Sequence, residues 1–292
     1  MEASELLQLV IAGLKNGSIY ALLALGFTIV YASTNVINFA QGEFYMLGGM
    51  LAVMGFSRFG LPLIVAVPLA VVLVAGIGML FEFLAIRPRK DAQPMALIII
   101  TVGGSLVFAS LARHLFGSDA LALPEFTPGP SFILAGAAIE RQTVWIWALV
   151  IIAVVGMSVL YRKTRLGRAM RACMDNREAA RLMGIDTARV VMVSFALAAA
   201  LGALAGVAVT PLTSTRFDIG AGIAVKGFAA AILGGLGNPL AAVAGGLLLG
   251  LVEQAVIPFS SGFKDAVALA VLLAVLFVRP QGLFSRARRE KM

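Results

Sequence analysis

Polar side chains interrupt an otherwise apolar stretch near the N-terminus. Asn35, Asn38 and Gln41 are spaced three residues apart, so a helix would place them on one side, and Glu43 follows closely. Amides and carboxylates at membrane depth must face the interior of a helical bundle or a water-filled cavity. Two interpretations remain open: these groups line a path for a polar solute, or they form a cytoplasmic elbow between two spans. In either case the Glu43 carboxylate needs a partner or water.

Two further ionisable residues, Lys226 and Glu253, lie in apolar sequence. Charges within a membrane segment are candidates for functional sites by default. The alternative is a structural ion pair, or a side chain that extends to the membrane interface. Both interpretations are kept.

A strong helix-breaking sequence lies between these two charges, with Gly234, Gly235, Gly237 and Pro239 in six consecutive positions. Glycine tolerates positive φ, and proline lacks a backbone donor and restrains the residue before it. The pattern predicts a sharp re-entrant turn or a discontinuous helix.

A basic loop at about 161–189 contains a short predicted helix. Asp175 and Glu178 fit a capping box, an acceptor side chain followed three residues later by an acid. Ala179 and Ala180 favour the helix, and Gly184 fits a C-terminal stop. Leu182 and Met183 have no obvious core to enter, so the helix either docks onto a partner protein or lies at the lipid headgroups.

The sequence lacks the motifs of several common classes of enzyme. The sequence has no phosphate-binding loop of the kind that hydrolyses ATP, and it has one histidine, His114, and one cysteine, Cys173. These counts exclude a His-Glu-x-x-His zinc site and a cysteine metal cluster. We therefore expect no enzyme activity, no metal and no cofactor in this chain.

Composition places the chain in the membrane. It is 60% hydrophobic and 13% charged with a mean hydropathy of +0.97, whereas soluble domains carry about 25% charged residues. Sixteen of its 23 basic residues fall in three short stretches, 87–90, 162–189 and 279–291, next to long apolar runs. This distribution is typical of cytoplasmic loops. It explains the net charge of +8 without nucleic-acid binding.

The apolar runs predict an all-α fold, a polytopic transmembrane helical bundle. A spanning helix needs about 20 mostly apolar residues. The runs that qualify are 6–31, 61–86, 94–116, 144–160, 190–212 and 239–257, and those near 40–57, 222–236 and 263–278 are shorter or interrupted. We predict eight to nine spans with interrupted helices, in a single domain over residues 1–292 with the N-terminus outside. Glycines four residues apart, as in Gly13/Gly17 and Gly246/Gly250, would let helices approach closely.

Five segments carry a resemblance to a known family: 13–31, 36–49, 165–186, 225–253 and 276–284. They resemble the LivH-type permeases of branched-chain amino acid ABC importers. Glu178-Ala179-Ala180 followed by Gly184 resembles the EAA loop of importer permeases, which implies a coupling helix seated in a groove of an ATPase. No Leu-Pro follows at the usual distance, so the sequence departs from the fuller EAA pattern.

The resemblance implies a permease subunit in the bacterial inner membrane that moves leucine, isoleucine and valine by alternating access. Its implied partners are a second permease of the same family, two cytoplasmic ATP-binding subunits that hydrolyse the ATP, and a periplasmic solute-binding protein. One alternative is the same machinery for another solute, such as urea, an amide or an aromatic acid. A second is an ion-coupled secondary transporter that uses Glu43, Glu253 and Lys226.

Overall fold

Long apolar runs form the helices of the protein, and glycine, proline and polar residues end them. The computed structural model describes residues 3–89, 92–258, 264–279 and 282–284. Within these ranges the helices are α1 (Ala3–Thr34), α2 (Gln41–Ser57), α3 (Leu63–Phe81), α4 (Pro94–Phe116), α5 (Arg141–Lys163), α6 (Arg165–Asp175), α7 (Arg177–Leu182), α8 (Thr187–Thr213), α9 (Ile219–Gly234), α10 (Pro239–Val256) and α11 (Lys264–Val278). A π-helical segment, Glu82–Ile86, and a 3-10 turn, Arg87–Arg89, continue α3.

Six of the described helices are long and apolar enough to cross a membrane: α1, α3 with its continuation, α4, α5, α8 and α10. They coincide with the six long apolar runs of the sequence. The three shorter runs form α2, α9 and the described part of α11. The predicted helical bundle is therefore present, with six helices that could cross a membrane by their length and composition.

One element departs from the predicted all-α fold. Residues 117–140 connect α4 to α5, and they contain an antiparallel hairpin of β1 (Phe132–Leu134) and β2 (Ala137–Ile139). Ala135 and Gly136, both with positive φ, form its turn. The sequence gave no sign of these strands, because three-residue strands are too short to show an alternating pattern.

The two ends of the bundle differ in charge. At one end, the N-terminal half of α1 contacts the hairpin, where Gln8 exchanges two hydrogen bonds with the backbone of Ala138. At the same end, Lys15 pairs with Glu140, the residue after the hairpin, at 2.9 Å. The opposite end carries the basic segments 87–89 and 162–189. Basic loops remain in the cytoplasm, so we refer to this opposite end as the cytoplasmic end. The terminal basic residues 286–291 lie outside the described residues.

Helices α1 and α8 form the centre of the bundle, and α3, α4 and α5 surround it. About two-thirds of the most apolar window is buried in α1 and in α8, but only 22% in α3 and in α4. The outer helices expose large apolar side chains, such as Ile64, Leu106 and Ile152. Apolar side chains that face outward on spanning helices are the surface that lipid covers.

Glycines allow α1 and α10 to pack backbone against backbone. A Cβ atom at Gly17 would lie 2.8 Å from the Cα of Leu247, and one at Gly246 would lie 2.6 Å from the Cα of Ala21. Real side chains essentially never approach a neighbouring backbone this closely. The four-residue glycine spacing in these two helices therefore marks a true contact between helices, as small residues do in lipid.

Substituting Gly246 tests this contact. We expect Gly246→Leu to lower the stability of the protein by the ~1–3 kcal/mol typical of overpacking, or by more, because the backbone of α1 cannot move away without disturbing the core. Gly76→Leu is the matched control, since Gly76 is an exposed helical glycine with no atom within 4 Å of its Cβ position. The measurement is the thermal unfolding midpoint of purified protein in detergent. Equal midpoints for both variants would contradict the close contact.

Candidate translocation and coupling sites

The polar stretch after α1 is a buried elbow within the bundle. Helix α1 ends at Thr34, residues 35–40 are not helical, and α2 begins at Gln41. Asn35 is exposed and has a φ of +55°, whereas Asn38 and Gln41 are fully buried. The prediction that a helix places the three amides on one side is therefore wrong. Asn38 instead caps the turn, because its Oδ1 accepts the backbone N–H of Ala40 at 3.1 Å.

The elbow lies deeper than the cytoplasmic surface. The Gln41 side chain donates from Nε2 to the carbonyl oxygen of Ala198 at 2.8 Å, and Ala198 is near the middle of α8. Helix α2 therefore begins at about half the depth of the bundle. An elbow on the cytoplasmic surface, one of the two interpretations of the sequence, does not describe this geometry.

Glu43 lies where α2, α4 and α9 meet. Its side chain is 2% exposed, and its Oε1 accepts a hydrogen bond from the Ser105 hydroxyl at 2.9 Å. A Cβ atom at Gly220 would overlap the carboxylate, so only glycine leaves room for it on α9. Ser105 is thus the partner of Glu43 Oε1, whereas Oε2 has no hydrogen-bond partner among the described residues. The position of Ser105 in the sequence gave no sign of this contact.

Lys226 and Glu253 form an ion pair across α9 and α10. The Lys226 ammonium lies 2.7 Å from Glu253 Oε1, and the Tyr20 hydroxyl of α1 donates to Glu253 Oε2 at 2.5 Å. The ammonium also lies 5.6 Å from the centre of the Tyr20 ring. Glu253 is 2% exposed and the Lys226 side chain 23%. The sequence pointed to both charged residues, but Tyr20 was missed because a single tyrosine is common in apolar helices.

The helix-breaking sequence forms a tight turn between α9 and α10. Helix α9 ends at Gly234, α10 begins at Pro239, and Gly235 and Gly237 have φ values of +116° and +92°. The Asn238 side chain caps α10 by accepting the N–H of Ala241 at 3.4 Å. Residues 283 and 284 donate backbone hydrogen bonds to the last carbonyls of α9. The turn joins two neighbouring helices that pack against each other.

The basic loop contains two helices, α6 and α7, and its short helix is the one predicted around Glu178. Its cap differs from the prediction: Asn176 Oδ1 accepts the N–H of Ala179 at 2.9 Å, whereas Asp175 is the last residue of α6. Asn and Asp are both good caps, so adjacent candidates compete. Gly184, with a φ of +83°, follows α7 and donates to the Arg181 carbonyl.

Helix α7 and the residue after it have a buried side that faces the bundle and an exposed side. Ala180 is 4% exposed and faces the bundle, whereas Leu182 and Met183 are 88% and 83% exposed. Glu178 and Ala179 are exposed as well. Helix α7 and the residue that follows it thus present exposed apolar side chains at the cytoplasmic end.

A charged cavity of about 450 Å³ lies between α7 and the cytoplasmic ends of α1 and α3. Its charged lining residues are Glu82, Arg87, Arg177, Glu178, Arg181 and Asp186. Glu82, which is 2% exposed, begins the π-helical segment that continues α3. Residues of α7 and of the cytoplasmic ends of α1 and α3 thus line the same cavity. Among the described residues, no group of three His, Cys, Asp or Glu side chains could hold a metal ion.

These features define a polytopic membrane protein with polar and charged groups held inside an apolar helical bundle. Residues 9–276 match the family described as the permease component of branched-chain amino acid transport systems. The chain belongs to this family, and the resemblance predicted from its sequence is confirmed. The family consists of membrane transport subunits, which also confirms the prediction that this chain is not an enzyme.

Curated relatives match along nine-tenths or more of the chain. The high-affinity branched-chain amino acid permease BraD of Pseudomonas aeruginosa is 32% identical, over 100% of this chain and 99% of its own. The permease LivH of Escherichia coli is 33% identical over 98% and 97% of the two chains. The ribose import permease RbsC of the same organism is 28% identical over 90% and 83%.

The fold is also similar to that of a solved transporter. A metal-chelate type ABC transporter in an inward-facing conformation matches with a TM-score of 0.51 and 15% identity, over 94% of this chain and 87% of the other. At this identity the likeness concerns the fold alone. It places the bundle among the membrane folds of ABC transporters.

The hydrogen bond from Tyr20 to Glu253 can be tested by Tyr20→Phe. We expect this variant to lose ~1–3 kcal/mol of stability, because a buried carboxylate oxygen loses its donor. Tyr31→Phe is the matched control on the same helix, since no hydrogen bond is found for the Tyr31 hydroxyl within the described residues. Thermal unfolding in detergent compares the two variants. If Tyr20→Phe unfolds at the same temperature as the control, the Tyr20 contact does not stabilise the fold.

Proposed function

We propose that this chain is the membrane-spanning permease subunit of an ABC importer for leucine, isoleucine and valine in the bacterial inner membrane. The observation that carries the proposal is the match of about one-third identity along the whole chain to permeases named for these amino acids. The similarity to a ribose permease indicates that related bundles serve other solutes, so the cargo itself needs a direct test.

The importer would contain a second permease of the same family, two cytoplasmic ATP-binding subunits and a periplasmic solute-binding protein. ATP binding draws the ATP-binding subunits together, and the permease pair reorients between outward-facing and inward-facing states. The exposed cytoplasmic helix α7 supports this assembly, because no described residue of the chain covers the side chains of Leu182 and Met183.

Residues 1–292 would act as one permease domain with eight or nine membrane segments. Six long helices are supplemented by α2, α9 and α11, which are shorter. Since α2 begins at half depth, its 17 residues reach one side of the membrane but do not cross it alone. Together α1, the elbow and α2 then form an interrupted helical unit.

We assign different roles to the buried polar residues. Asn38, Gln41 and Glu43 are buried, and they bond to the elbow, to α8 and to α4 respectively, which supports a structural role in fixing α2 at half depth. Asn35 lies on the exposed side of the same elbow. Lys226 is partly exposed, so it belongs to the translocation path, with Glu253 as its fixed partner.

Helix α7 would be the coupling helix that seats in a groove of an ATP-binding subunit. Ala180 anchors it to the bundle, while Leu182 and Met183 enter the groove and Glu178 and Ala179 lie at its rim. Gly184 ends the helix in a backbone conformation that other residues adopt at a cost. Asp175 ends α6 directly before it, so α6 sets the position of the coupling helix.

Charged substitutions on this helix test the docking role. We expect the double variant Leu182→Asp/Met183→Asp to lose at least about tenfold in recovery of the ATP-binding subunits, because two carboxylates would enter an apolar groove. The permease itself should accumulate normally, since both side chains are already exposed. The measurement is the amount of ATP-binding subunit that co-purifies with a tagged permease.

The matched control carries the same change at the opposite end of the molecule. Ile133 and Leu134 of the hairpin are also exposed apolar neighbours, so Ile133→Asp/Leu134→Asp should retain the ATP-binding subunits. Equal recovery from the two double variants would contradict α7 as the docking helix.

The cargo is tested by uptake of radiolabelled leucine in cells with and without the gene, in a strain that lacks other leucine transporters. We expect uptake to require the gene and to be reduced by unlabelled isoleucine and valine. Urea, benzoate and ribose should have no effect. Competition by one of these three solutes, or gene-independent uptake, would overturn the proposed cargo.

A further inference from the structure

A groove on the side of the bundle contains the Lys226 side chain. The groove has a volume of about 570 Å³ and lies between α2, α8, α9 and α11. Thr213 and Ser214, at the end of α8 away from the cytoplasm, lie at its outer part, and Lys226, midway along α9, lies at its deeper part. Its volume falls within the roughly 300–1,000 Å³ of small-molecule sites.

The Lys226 ammonium is held in place from the side opposite the groove. Both carboxylate oxygens of Glu253 are used, one by Lys226 and one by Tyr20, and Glu253 is almost completely buried. A small molecule in the groove therefore meets the ammonium, whereas the carboxylate behind it is out of reach. An ammonium fixed by a buried partner is pre-organised to bind an anion.

The groove must face protein or water in the assembled transporter. A lysine side chain that is partly exposed at the middle of a spanning bundle is costly against lipid. Exposed residues on the same helix are small or aliphatic, as at Gly222 and Val225. These residues allow a second subunit to close the groove without filling it.

We propose that this groove is a transient site for an α-amino acid, in which Lys226 binds the carboxylate of the substrate. The aliphatic side chain packs against Ile219, Ile223, Ala229 and Leu269, which line the groove. The substrate ammonium lies toward the hydroxyls of Thr213 and Ser214, away from Lys226. This assignment rests on the proposed function and adds to it a binding residue and an orientation of the substrate.

The test uses the complete importer, the two permeases with the ATP-binding subunits, reconstituted in liposomes with its loaded binding protein. Lys226→Met should lower the initial rate of leucine uptake by about tenfold or more, the loss expected for a charge-assisted hydrogen bond. The half-saturating concentration of loaded binding protein should not change, because that protein docks outside the groove. Lys226→Arg should retain most of the uptake.

A double variant separates substrate binding from a purely structural ion pair. Lys226→Met alone leaves a buried unpaired carboxylate, whereas Lys226→Met/Glu253→Gln removes both charges, so assembly is preserved even if the single variant is unstable. If Lys226 binds the substrate, the double variant assembles and still transports about tenfold or more slowly than the wild type. Wild-type uptake by the double variant would overturn this inference and leave the proposed function standing.

The wild-type importer provides the remaining comparison. If it accumulates none of leucine, isoleucine and valine while its loaded binding protein stimulates ATP hydrolysis, the proposed function is overturned, and this inference with it. Wild-type leucine uptake together with a slow double variant supports both.

Discussion

The absence of hydrogen-bonding solvent inside a membrane is the constraint on which this structure depends. Every polar group that the chain places at membrane depth must find its partner within the protein. The two buried carboxylates of α2 and α10 meet this requirement to different degrees, because both oxygens of Glu253 are bonded whereas Glu43 Oε2 has no hydrogen-bond partner among the described residues. Glu43 accepts from a serine on a neighbouring helix, and Glu253 accepts from a tyrosine and a lysine on two other helices. Each carboxylate thus ties separate helices together.

Close backbone packing is the second condition that follows from the membrane environment. Lipid supplies no hydrophobic force between helices, so contact depends on how closely their backbones fit. Glycines on α1 and α10 provide this fit. The same two helices carry Tyr20 and Glu253, whose side chains share a hydrogen bond. The position of the charged groups is therefore set by residues that have no side chain.

The sequence predicted the parts of the fold that depend on long, repeated signals. Six apolar runs correspond to the six long helices, because about 20 apolar residues in succession are rare outside membrane spans. The helix-breaking glycines predicted the turn between α9 and α10. The shorter signals failed, since Asn176 rather than Asp175 caps α7 and the polar stretch at 35–40 does not continue as a helix. Tyr20 and Ser105 could not be found, because their roles arise from residues distant in the sequence.

The turn between α9 and α10 lies against the cytoplasmic loop. A Cβ atom at Gly237, in that turn, would lie 3.2 Å from the sulfur of Met174 in α6, the helix directly before α7. Movement of the loop would therefore carry the linked ends of α9 and α10 with it. Since Lys226 and Glu253 are on these two helices, they would travel as a pair. The ammonium would then keep its counter-ion throughout the transport cycle, so the protein would move a neutral dipole through the membrane rather than a charge, and the membrane potential would do little work on it.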